Sequence, residues 1–228
     1  MRDTWIYVAA AAIIIFFIMT SFSPPPGSYD GQAVGGYATI VFEDGSRQTI
    51  DPYSQNPLQN LFQTIYDVRY PDKPISSYII HIFFIPEFQG DVVEWSVSGK
   101  FRAVIVKPSG ATITIKSETV SKQGTELESG RRYDLGGILI ITADEIEEKL
   151  SEEGTYDIDI DLVEFTLTVE FDDGTVDTYE IDPRRPKTLL TLQILYEPNM
   201  ITNVDVEAGE SITWELVYMM GVEPRWIY

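Results

Sequence analysis

Apolar and polar residues alternate in short runs along most of the chain: at 38–42, 92–97, 103–107 and 111–116, then at 137–141, 157–171, 176–181, 190–196 and 211–219. A period of two sends successive side chains to opposite faces, so each run predicts a strand with one face buried. Gly, Asp and Pro punctuate the runs without regularly interposed helices, which predicts antiparallel sheets packed as a sandwich. Two segments break the pattern. Thr142, with Glu145 three residues on and Ile146 and Leu150 behind it, has the form of a capping box opening a short helix. Across 57–68, Leu58, Leu61, Phe62, Ile65 and Tyr66 fall at helical spacing after Pro57 and predict a second helix.

One stretch follows neither period. Residues 5–22 carry no charge and include Trp5, Tyr7, Ile13, Ile14, Ile15, Phe16, Phe17 and Phe22, with Pro24, Pro25 and Pro26 immediately behind. At about 1.5 Å per residue these 18 residues would make a helix of roughly 27 Å, enough to cross a hydrocarbon core. Residues 1–26 are therefore expected to be a membrane anchor and proline hinge. The competing expectation is a cleaved secretory leader, since Arg2 and the amino terminus give a basic start. Against it, Ser21-Phe22-Ser23 backed by proline is a poor cleavage site. The only base before the stretch is Arg2 and the next one is Arg47. The positive-inside bias thus places the amino terminus in the cytoplasm and the bulk outside it, or on the matching side of a virion membrane.

The chain also echoes itself. Gly27-Ser-Tyr-Asp30 returns as Gly154-Thr-Tyr-Asp157, Phe42-Glu-Asp-Gly45-Ser46 as Phe171-Asp-Asp-Gly174-Thr175, and Ile50-Asp51-Pro52 as Ile181-Asp182-Pro183. The spacings differ by two residues, which preserves strand facing. A duplicated β module is expected, giving a first sandwich at 27–109 and a second at 110–228, with the boundary open between 110 and 153. In strand grammar the chain resembles tandem immunoglobulin-like surface domains, so immunoglobulin-like or jelly-roll-like sandwiches are implied.

Charge narrows the partners. Sixteen basic and 36 acidic residues give a net charge of −20, which repels phosphate backbones, so no nucleic acid is expected. Sixteen of the carboxylates lie in 144–182 against a single base, Lys149. Without cysteine there is neither a disulfide framework nor a thiolate metal site. The four asparagines match the depletion of heat-labile residues in heat-adapted proteins, from which a hot-living archaeal source is expected, although seven lysines depart from that pattern.

Chemistry is sparse. His81 is the only histidine and sits in an apolar run, so a serine triad and a histidine metal site both lack parts. Asp157, Asp159 and Asp161 alternate on one strand face about 7 Å apart and form the one candidate cation site, for calcium. An extended strand converges such ligands poorly, so a solvated acidic face is the leading expectation and no other cofactor is expected. Trp95 and Trp214 are candidate pocket-lining aromatics. Trp226, Ile227 and Tyr228 either dock on their own sandwich or add to a neighbour's sheet edge. The functional expectation is a non-enzymatic, membrane-anchored extracytoplasmic assembly protein whose partners are the lipid bilayer and other protein subunits. A tethered solute-binding module comes second and a carboxylate hydrolase third.

Overall fold

The computed structural model of the chain describes residues 33–53, 73–107, 109–181, 186–197 and 200–220. The expected anchor at 1–26, the helix at 57–68 and the carboxyl-terminal Trp226, Ile227 and Tyr228 lie outside these residues. No helix among the described residues is long and apolar enough to cross a membrane.

The fold is mainly β, in two sheets with one short helix. In chain order the elements are β1 (Val34–Phe42), β2 (Arg47–Ile50), β3 (Ile75–Phe84), β4 (Val92–Val106), β5 (Thr112–Gly124), β6 (Tyr133–Thr142), α1 (Ala143–Glu147), β7 (Gly154–Phe171), β8 (Val176–Glu180), β9 (Lys187–Glu197), β10 (Met200–Ala208) and β11 (Glu215–Met220). The capping box forms as the sequence predicts. Thr142 Oγ1 accepts from the Glu145 amide at 3.2 Å and the Thr142 amide donates to Glu145 Oε2 at 2.8 Å.

A four-stranded sheet runs β2-β1-β3-β6, and a seven-stranded sheet runs β10-β9-β7-β4-β5 with β8 on β7 and β11 on β8. Every pairing is antiparallel. β4 and β5 form a hairpin in one sheet, while β3 and β6, which bracket them in sequence, pair in the other. β7 is long enough to take two partners along one edge, β9 beside 154–162 and β8 beside 166–170. Midway, the register with β4 shifts between Lys100 and Phe101, leaving Val163 as an extra residue. This bulge moves the buried set from Ile158, Ile160 and Leu162 to Phe165, Leu167, Val169 and Phe171, so the strand keeps its apolar side inward on both halves.

The division into sandwiches at 27–109 and 110–228 does not follow the sheets. β3 pairs with β6, and β4 pairs with both β5 and β7, so each sheet draws strands from either side of residue 110. One core then spans both sheets, joining Ile40, Ile80 and Leu139 with Phe101, Ile158 and Phe165. The tandem expectation is corrected because local alternation identifies strands without specifying which distant strand each one joins.

The internal echo is real at the level of hairpins. In β1–β2 the Phe42 amide donates to Ser46 O at 2.9 Å and the Gly45 amide to Phe42 O at 2.9 Å. In β7–β8 the Phe171 amide donates to Thr175 O at 2.9 Å and the Gly174 amide to Phe171 O at 3.0 Å. Asp44 and Asp173 each accept from the amide two residues on, at 2.9 Å in both. Gly45 and Gly174 stand at φ of 78° and 80°, a conformation suited to glycine. Three residues from each turn, threonine faces threonine: Thr39 with Thr49 at 2.9 Å and Thr168 with Thr178 at 3.4 Å.

Candidate functional site

The acidic row on β7 follows directly from register. β9 sets Gln193 opposite Asp157, Thr191 opposite Asp159 and Thr188 opposite Asp161, while β4 sets Arg102 on the other side of Asp161. Gln193 Nε2 donates to Asp157 at 3.2 Å, Thr191 Oγ1 to Asp159 at 2.7 Å, and Thr188 Oγ1 to Asp161 at 3.1 Å. Arg102 reaches the remaining oxygen of Asp161 through Nε at 2.9 Å and Nη2 at 2.8 Å. Burial, reinforced by the flanking carboxylates of Asp161 and Asp157, holds Asp159 above the ordinary carboxylate range, with the Thr191 hydroxyl pulling the other way.

The three aspartates are thus spread along a strand and each is engaged by a neighbour. Among the described residues no three His, Cys, Asp or Glu side chains gather in a group able to hold a metal ion. The calcium expectation for Asp157, Asp159 and Asp161 is not met by this geometry, because an extended backbone separates ligands that a calcium loop would converge.

A second cluster crosses the outer face of the four-stranded sheet. Arg132, just before β6, lays its guanidinium over the Phe83 ring at 3.8 Å and beside the Tyr37 ring at 5.0 Å. It ends on Asp51, just past β2, with Nη1 to Oδ2 at 2.7 Å, and also touches Asp134 at 3.4 Å. One side chain therefore ties the two edge strands together across β1 and β3. Asp51 also accepts from the Tyr53 amide at 3.0 Å. Burial pushes the Tyr53 hydroxyl up to about 12, and it donates to Leu189 O of the other sheet at 2.6 Å. This cluster escapes the sequence because Asp51 and Arg132 stand 81 positions apart with no local motif joining them.

His81 lies on the same face. Its ring stacks on Tyr37 at 4.5 Å with an interplanar angle of 5°, and its Nε2 lies 3.2 Å from Thr39 Oγ1. Burial pushes the imidazole below its ordinary value and Asp134 draws it partly back. The ring is thus held between the Tyr37 face and the Thr39 hydroxyl, which fixes its orientation on the sheet.

The aromatic pocket is not formed by the tryptophans. Trp95 is buried against Phe84 and donates to Glu126 O at 3.0 Å, and Trp214 packs on Phe165 and donates to Ile85 O at 2.7 Å. Trp95 belongs to the core and Trp214 packs half-buried against it, and both indoles are satisfied. A cleft of about 400 Å³ does open where β4 ends and β7 begins, lined by Lys107, Lys149, Leu150, Glu152, Glu153 and Tyr156 among others. Its lining mixes the buried Leu150 and Tyr156 with charges of both signs. Comparison of the chain with protein-family models and with curated proteins finds no match.

Proposed function

We propose that the protein is a membrane-anchored, extracytoplasmic assembly subunit, with 1–26 as a single-pass anchor and an acidic two-sheet body as the part that contacts other protein subunits. The observation that carries this reading is the use made of the reactive side chains. Asp157, Asp159, Asp161, Arg102, His81, Arg132 and Asp51 are each engaged by cross-strand neighbours, so they rigidify sheets instead of converging on a cleft. The nested pairing of β4–β5 within β3–β6 supports the jelly-roll side of the implied fold class.

Edge chemistry supports the same reading. Lys116 Nζ donates to Ile140 O at 2.8 Å and Lys122 Nζ to Asp134 O at 3.0 Å, so two ammonium groups of β5 cover carbonyls of the edge strand β6. On the edge strand β10, Asp205 Oδ1 accepts from the Val206 amide at 2.9 Å. Such devices prevent indiscriminate strand addition, which a subunit held at high local density on a membrane requires.

Purification of the full chain in mild detergent, followed by mass measurement and alkaline extraction of membranes, tests the proposal. An ordered oligomer that resists extraction is expected. A monomer released by alkali contradicts it. The second reading, a tethered solute-binding module, draws on the cleft at Lys107 and Lys149 and predicts a monomer carrying a co-purified small molecule.

A further inference from the structure

His81 is the only side chain of this protein whose ordinary titration falls between pH 5 and 8. Its surroundings are specific. On β1 the ring faces Tyr37, in near-parallel stacking, and Thr39, whose hydroxyl lies 2.9 Å from that of Thr49 on β2. On β6 its cross-strand neighbour is Gly137, which leaves room for the ring: a Cβ there would stand 3.6 Å from His81 Cε1 and 2.8 Å from the Ile79 side chain. The imidazole thus bridges three strands, β2, β1 and β3, through one row of side chains.

The charged and titratable groups around it, among the described residues, are Tyr37 on β1, Asp134 on β6, Arg132 before β6 and Asp51 after β2. Burial holds Tyr37 above its ordinary value, so it stays neutral throughout this pH range. Asp51 and Asp134 both contact Arg132. A proton arriving on His81 therefore adds a cation to a half-buried site in which Asp134 is the offsetting charge.

We propose that His81 is an acid-sensitive latch that fastens the β1–β2 hairpin to β3. Neutral, the ring closes the Thr49–Thr39–His81 row against Tyr37. Protonated, it favours the opened state, in which water reaches the imidazolium. The sign follows from linkage: a histidine whose folded value lies below its unfolded value takes up its proton more readily when the row is open, so falling pH populates the open form. The lowered imidazole is in keeping with the packing but is not needed to identify the row.

With one histidine, its Cε1–H resonance in the full chain in detergent can be followed alone. The folded midpoint is expected below the midpoint of the same chain unfolded in urea. Amide exchange in β1 and β3, corrected for intrinsic rates, should then be faster at pH 5 than at pH 7.5, by about tenfold for each unit separating the midpoints. In His81→Gln, which keeps a hydrogen-bonding group beside Thr39 but cannot titrate, the acid response should vanish. Equal midpoints, a higher folded midpoint, or an acid response that survives in His81→Gln would overturn the latch.

Discussion

Tyr78 is fully buried on β3, and its hydroxyl has no hydrogen-bond partner among the described residues. An unmet buried hydroxyl costs about 1–3 kcal/mol, so Tyr78→Phe, which keeps the ring, should leave stability unchanged or raise it. Thermal unfolding checks this, and a clear fall in Tm would reveal a partner for the hydroxyl. Asp159 offers a complementary case. Its folded value lies above that of the unfolded chain, so the folded state binds the proton more tightly, and this group destabilises the fold at neutral pH and ceases to do so as pH falls through the folded value. Asp159→Asn keeps an acceptor for Thr191 and removes the repulsion from Asp157 and Asp161. At pH 7 it should stabilise by up to about 1 kcal/mol, or roughly 2–4 °C in Tm, and the gain should shrink toward pH 4. The row itself was legible because alternation exposes every second residue. Its partners Thr188, Thr191, Gln193 and Arg102 were not, since only pairing in space brings them opposite.

The two hairpins are where element-level reading succeeded, and they carry an internal control. Gly45 and Gly174 occupy left-handed conformations with open space where a side chain would go, so alanine at either position meets backbone strain alone. Gly45→Ala and Gly174→Ala should each cost about 1–2 kcal/mol, and equally, by denaturant titration. Unequal costs would mean that the echoed turns are not energetically equivalent. Elsewhere local pattern misled for identifiable reasons. The runs at 92–97 and 103–107 are one strand, β4, because Gly99 takes an inward position with no apolar side chain to mark it, its space being filled by the rings of Phe165 and Phe101. β10 went unread because its register shifts between Thr202 and Val204, which breaks the alternation. The capping box at Thr142 and Glu145 was legible because its whole mechanism lies within four residues.

At the scale of the molecule, the sequence announces β structure and acidity but not how the strands interleave. That follows from pairings such as His81 with Gly137 and Arg102 with Asp161, which join segments far apart in the chain. Once β3 holds β6 and β4 holds β7, neither half of the chain can bury its apolar face alone, and Phe84, Phe101 and Phe165 become parts of a single interior. The charged groups then serve that body: Arg132 spans the four-stranded sheet, Arg102 anchors the acidic row, and the lysines of β5 join its edge to that of β6. Differential scanning calorimetry of the full chain in detergent tests this interleaving most directly. One transition with equal calorimetric and van't Hoff enthalpies is predicted for a body with one core. Two resolved transitions, each assignable to one side of residue 110, would contradict it.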